Sequence, residues 1–295
     1  MNEAVIRERG YQAYTGPTQP SVRRVLAFHT ARTLLARKGV RRSITLACVP
    51  ALIVGVIAFV AQKAGAGDDA GRVANLLTRP WGTFFPALII ALIAAGGTLA
   101  EDRRAGALSF YFARPVVATD YVLGRLTGTA VVVALASVGP PLAVALLHIV
   151  QADAQSVMRA LVSFATIAVL GTALSVLLAA YALLGGALAG SRGGAQGFLA
   201  LAVLVPWVAA GVMANLVDGP WISLLSLPHI IESIAHALIV KQAGLGSIFA
   251  SLSEQSEPTL PPAWMAAIAL VVLAAATGAA LYQRIDKLAH AGGDA

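Results

Sequence analysis

Charge is scarce in this chain. Of its 295 residues only 12% are Asp, Glu, Lys or Arg, where a soluble domain carries about a quarter. With 58% hydrophobic residues and a mean hydropathy of +0.78, so much apolar surface could not all be hidden in one soluble core. Cysteine is nearly absent. The single Cys48 lies inside an apolar run, so no internal disulfide forms, and nothing around it marks a thiolate or metal site. None of the four lysines follows a glycine, so there is no P-loop, and no HExxH occurs. ATP hydrolysis by P-loop machinery and zinc peptidase chemistry of that type are therefore excluded. The first 42 residues hold no short apolar core followed by a cleavage site, so no secretory signal peptide is expected. The formal charge of +7 would raise nucleic acid as a partner in a soluble chain. Here the basic residues flank apolar runs, and no nucleic acid is expected.

What is present is length of apolar sequence. A membrane span needs about 20 mostly apolar residues. Six stretches qualify: Ser43–Ala61, Thr83–Ala100, Leu126–Leu147, Ala160–Leu184, Gly197–Val217 and Ala263–Tyr282. None contains Asp, Glu, Lys, Arg or His. The expected fold is all-α: a polytopic integral membrane protein with six transmembrane helices, because a helix satisfies its own backbone in lipid. Residues 1–42 form a cytosolic N-terminal segment, and 43–295 form the six-span domain. Pro140-Pro141 predicts a kink in the third span. With the N-terminus inside, 16 Lys and Arg fall on the cytosolic side and five outside, so both termini are expected in the cytosol. Trp81, Trp221 and Trp264 then lie at the outer boundary, as an interfacial aromatic belt does.

Three segments outside the spans have structure of their own. Ser21–Arg42 mixes apolar residues with seven basic ones and reads as an interfacial helix attracted by anionic headgroups. Its periodicity is imperfect, since Leu34 and Leu35 do not share a face with Val22 and Leu26. The cytosolic loop 101–125 places Leu108, Tyr111 and Phe112 at i, i+3, i+4, on one face of a short helix that Pro115 ends. Thr119 then serves as N-cap of the next helix, with Asp120 in its first turn. An ordinary basic loop is the alternative. In the outer segment 218–262, Leu227, Ile230, Ile231, Ile234, Ala235 and Leu238 form an apolar stripe opposite His229, Glu232, Ser233 and His236. Two imidazoles and a carboxylate could in principle hold zinc, but no second group of ligands supports it, and an amphipathic helix needs a polar face anyway. Gly124–Gly128, Gly186–Gly190, Gly190–Gly194 and Gly193–Gly197 match GxxxG, a weak signal in a chain with 28 glycines.

The loop carries the specific pattern. Glu101, Arg103-Arg104, Gly106, Leu108, Arg114-Pro115-Val116, Asp120-Tyr121 and Gly124-Arg125-Leu126 together resemble the loop after the second span in permease subunits of ATP-binding-cassette (ABC) transporters of the type-2 exporter class. Six spans, a basic amphipathic N-terminal helix and a long last outer loop resemble that class too. The chain departs from the pattern at Ala107 and at Phe110-Tyr111-Phe112-Ala113. The resemblance implies a coupling helix over roughly 101–114 that docks in a cleft of a separate cytosolic ATPase dimer. Glu101, Arg103, Arg104, Gly106, Leu108, Phe110, Tyr111, Phe112, Arg114 and Pro115 would make that contact. ATP and magnesium would be bound by the ATPase, with no cofactor on this chain. A second permease copy or a related chain would complete the path, in a bacterial-type cytoplasmic (inner) membrane. From the residues alone, two other classes stay open: a secondary transporter or channel, and a membrane-embedded enzyme or a signalling and assembly subunit. Ion-coupled carriers usually need ionisable groups at membrane depth, and the six stretches offer none.

Overall fold

The structure is a computed structural model that describes residues 21–63, 80–108, 118–151, 157–214, 216, 220–240 and 260–291. Regular structure among the described residues is entirely helical. In chain order the helices are α1 (Val22–Ala36), α2 (Lys38–Lys63), α3 (Pro80–Ala95), α4 (Leu99–Arg104), α5 (Ala118–Ser137) and α6 (Gly139–Gln151). They are followed by α7 (Val157–Ala189), α8 (Arg192–Ala214), α9 (Leu227–Ala235) and α10 (Ala263–Ala291). A 3-10 turn, Pro220–Leu225, precedes α9, and one π turn, His236–Val240, follows it.

By length and composition four helical segments can cross a membrane: Phe84–Arg104, Ala160–Ala189, Arg192–Met213 and Ala263–Leu288. The pair α5 and α6 makes a fifth if counted as one bent span. The expected first span, Ser43–Ala61, lies within the 26-residue α2, which is not in that set. These long apolar helices are compatible with a membrane protein.

The bend in the third expected span is present. α5 ends at Ser137, α6 starts at Gly139, and the two axes meet at 44°. Pro140 and Pro141 fall in the first turn of α6, where a backbone N–H has no partner within the helix anyway. Beside the bend, the hydroxyls of Ser137 and Ser175 are 2.7 Å apart and buried, joining α5 to α7. Ser175 donates to the Gly171 carbonyl at 2.6 Å, so the proton of the interhelical bond comes from Ser137, whose own-helix carbonyl at Val133 is the more distant acceptor at 3.3 Å. A Ser137→Ala, Ser175→Ala double-mutant cycle in detergent unfolding should return a coupling of about 0.6 kcal/mol, the usual size for such a pair in a membrane protein. A coupling of zero would show that the two hydroxyls do not hold the bend.

α7 is the central post and packs against α3, α5, α6, α8 and α10. Leu170, Leu174, Leu177 and Leu178 of α7 are buried with Leu88 and Ile90 of α3, Val132 and Val133 of α5, and Leu199 and Val203 of α8. α8 and α10 turn most of their surface outward.

α9 corrects the sequence reading of the outer segment. Leu227, Ile230, Ile231, Ile234 and Ala235 are buried as expected, but so are His229 and Ser233 on the opposite face. Ser233 donates to the Pro261 carbonyl at 2.5 Å. Two residues of the polar face are thus packed against neighbours, while Glu232 and His236 stay partly exposed. The stripe also stops at Ala235, because the π turn changes the period and leaves Leu238 40% exposed. Burial pushes the His229 imidazole below its usual pKa, while nearby Glu232 pulls the other way. Among the described residues no group of three or more His, Cys, Asp or Glu could hold a metal ion.

The two ends of the bundle differ in chemistry. Trp221 and Trp264 are exposed at one end. α10 is 29 residues long, and from Trp264 to Arg284 near its other terminus it rises about 30 Å. Arg37, Arg103, Arg125, Arg192 and Arg284 meet elements of that second, basic end.

Candidate functional site, a charged junction at the basic end

The expected second span is interrupted at Gly96–Thr98 and resumes as the six-residue α4. Such a break leaves buried backbone groups that need partners. Arg37 supplies one. Its Nη2 donates to the Gly97 carbonyl at 2.6 Å and to Glu101 Oε2 at 2.6 Å. Arg37 itself is extended (φ −71°, ψ 125°) and separates α1 from α2. One side chain therefore joins two chain breaks. A Cβ on Gly97 would fall 1.5 Å from Arg37 Nη1, so a larger residue there would move the guanidinium off its two acceptors. Gly96 is covered from the other side, where a Cβ would lie 2.4 Å from Arg192 Cγ.

Three consecutive residues of α4 reach three different helices. Glu101 takes Arg37 at the foot of α1. Asp102 accepts the Tyr121 hydroxyl at 2.6 Å and forms an ion pair with Arg125, both from α5. Arg103 donates to the Ala187 carbonyl at 2.6 Å and more distantly to Gly186, near the C-terminus of α7. Arg284 of α10 reaches the same Ala187 carbonyl at 3.4 Å. A helix C-terminus carries unsatisfied carbonyls and a partial negative charge, so arginine is the natural cap.

The Arg125–Asp102 pair is the most enclosed. The side chains are 7% and 17% exposed. Arg125 also donates to Thr30 Oγ1 of α1 at 3.1 Å, and its guanidinium lies 5.6 Å from the centre of the Tyr121 ring.

α1 is locked onto α5. Leu26, Thr30 and Leu34 are buried on one face, at i, i+4 and i+8. This corrects the reading that set Leu34 apart from Leu26. Val22, the first residue of α1, is 41% exposed. Gly124 and Gly128 let the backbones approach: a Cβ on Gly128 would lie 2.5 Å from the Ala27 carbonyl oxygen. Of the GxxxG matches, this one is a helix-packing site. Arg23 of α1 pairs with Asp120 at the start of α5. α5 already includes Ala118, so Thr119 lies inside the helix and is not its cap.

The expected docking residues fall into three groups. Arg103 is half-buried and engaged in the junction, while Glu101 holds Arg37 with its side chain still 51% exposed. Arg104 is exposed. Gly106 has φ +66° with open space around it and turns the chain out of α4, after which Leu108 packs, partly buried, against the cluster that includes Leu26, Leu99 and Tyr121. The positive φ explains a glycine here, since other residues adopt it at a cost. Phe110, Tyr111, Phe112, Arg114 and Pro115 lie outside the described residues. The sequence reading did not single out Arg37, Thr30, Asp102 and Arg284 as site residues. No protein-family model and no curated protein matches the chain.

Proposed function

We propose that this chain is the permease subunit of an ABC transporter of the type-2 exporter class. It has six spans, and both termini and the basic end lie on the cytosolic side of a bacterial-type cytoplasmic membrane. The chain hydrolyses nothing itself. A separate cytosolic ATPase dimer binds ATP and magnesium, and a second permease copy or related chain completes the path.

One observation carries the reading. The residues Glu101, Asp102 and Arg103, which open the motif-bearing loop, are tied respectively to α1, α5 and α7. A displacement delivered to that loop is thereby passed to three helices at once, which is what a subunit driven from outside its own spans requires. Arg104 and the aromatic residues at 110–112 remain to meet the ATPase. Arginine and aromatic side chains are the usual anchors of such contacts.

The test is affinity isolation of the full chain with Arg104→Ala and Phe112→Ala combined. The double variant should insert normally, yet recover about tenfold less ATPase or lower still. Undiminished recovery would remove the loop from the contact.

A further inference from the structure

We propose that α1 is a sensor of anionic phospholipid, and that the lipid headgroups it binds set the position of the docking loop. α1 has two used faces. Leu26, Thr30 and Leu34 are taken up by α5. The opposite side presents Val25 and Phe28, which are 50% and 70% exposed, and Val22 at the start of the helix is 41% exposed. Arg24 and Arg32 are exposed on the same helix, and Arg41 and Arg42 at the start of α2. Among the described residues none of these four arginines has a carboxylate partner, whereas Arg23, Arg37 and Arg125 each do.

A surface that is both apolar and cationic, with no internal counter-ions, fits phosphate headgroups over acyl chains. The covalent geometry favours the same occupant. Only Arg37 separates α1 from the long apolar α2, so α1 is held at the level where such a helix would enter lipid.

The contacts of α1 carry its position inward. Thr30 meets Arg125, which holds Asp102, and Arg37 holds Glu101 and the Gly97 carbonyl. Lipid that draws α1 to the membrane therefore acts on α4 through two separate side chains. The consequence for the loop rests on the docking role given to it above. The lipid contact itself does not.

The experiment uses the full chain with Cys48→Ser in nanodiscs of phosphatidylcholine, with or without phosphatidylglycerol. An environment-sensitive thiol dye is placed at Phe28→Cys, or at Ala105→Cys in the exposed turn after α4. Phosphatidylglycerol should shift the position-28 emission to the blue and shield it from iodide. Each Arg→Gln change at 24, 32, 41 or 42 should weaken that response roughly fivefold. The dye at 105 should also respond to phosphatidylglycerol; Arg37→Gln should weaken this response, and Arg37→Gln with Thr30→Ala, which removes both routes, should abolish it, while the response at 28 stays intact. Equal iodide quenching at 28 in both lipids would overturn the lipid contact, as would an equal shift produced by free inorganic phosphate. A response at 28 with none at 105 would overturn the link to the loop. None of these readings involves an ATPase, so failure here and failure of the docking assignment are distinguishable.

Discussion

Arg125→Ala should destabilise the chain by roughly 3–5 kcal/mol, the effect of leaving one member of an enclosed ion pair behind. Asp102 is 17% exposed on its side chain, and without Arg125 its carboxylate would keep only the Tyr121 hydroxyl among the bonds described here. Thr30 would lose its donor as well. Most of the penalty should come from the stranded charge rather than from the lost attraction. Adding Asp102→Asn should therefore recover about 2 kcal/mol, since a neutral amide oxygen still accepts from Tyr121. Detergent-titrated unfolding of the three variants checks this. An Arg125→Ala protein within about 0.5 kcal/mol of the parent would show that the pair is solvated and not structural.

The second large effect belongs to Gly128. Its missing Cβ would meet backbone, the Ala27 carbonyl oxygen at 2.5 Å, and also Thr30 Cβ at 2.7 Å. Neither can swing aside as a flexible side-chain end would. Gly124 is similarly closed by Leu26 Cβ at 2.7 Å and the Arg23 carbonyl oxygen at 3.1 Å. Gly128→Leu should push α1 off α5, costing about 1–3 kcal/mol of packing and opening the Arg125–Thr30 and Arg23–Asp120 contacts. The released helix should then be cut faster by trypsin at Arg24 and Arg32. Gly278→Ala is the control, because nothing lies within 4 Å of a Cβ there. It should leave the cleavage pattern unchanged. Equal cleavage of the Gly128→Leu variant and the parent would mean that α1 is not held by this groove.

The helices were legible in the sequence because apolar run length and proline position are local. The bend at Pro140-Pro141 and the start of α10 near Ala263 follow from residues next to one another. The junction was not legible, because its bonds span large separations. Arg37 meets residues 60 and 64 positions away, and Arg125 meets Thr30 across 95. In the sequence Asp102 looks like one more charge in a polar loop, while Tyr121 and Arg125 enter only as parts of the family pattern. Gly128 illustrates the same limit. Among 28 glycines a GxxxG spacing carries little information, and only what lies opposite turns it into a packing site. The sequence places His229 and Ser233 of α9 on a polar face opposite the apolar stripe, yet both are buried, Ser233 against Pro261, 28 positions away. A single useful signal was available: arginines bunched on one side of apolar runs mark the end where exposed helix carbonyls gather, and Arg103 and Arg284 cap one there.

The most direct measurement is affinity isolation of the tagged full-length chain from native membranes, with its companions identified by mass spectrometry and ATP hydrolysis assayed on the isolate. The expected result is co-isolation of an ABC-type ATPase in fixed proportion, with ATP hydrolysis that depends on magnesium and is blocked by vanadate. An isolate that contains no such ATPase and hydrolyses no ATP would contradict the assignment of this chain as an ATP-driven permease.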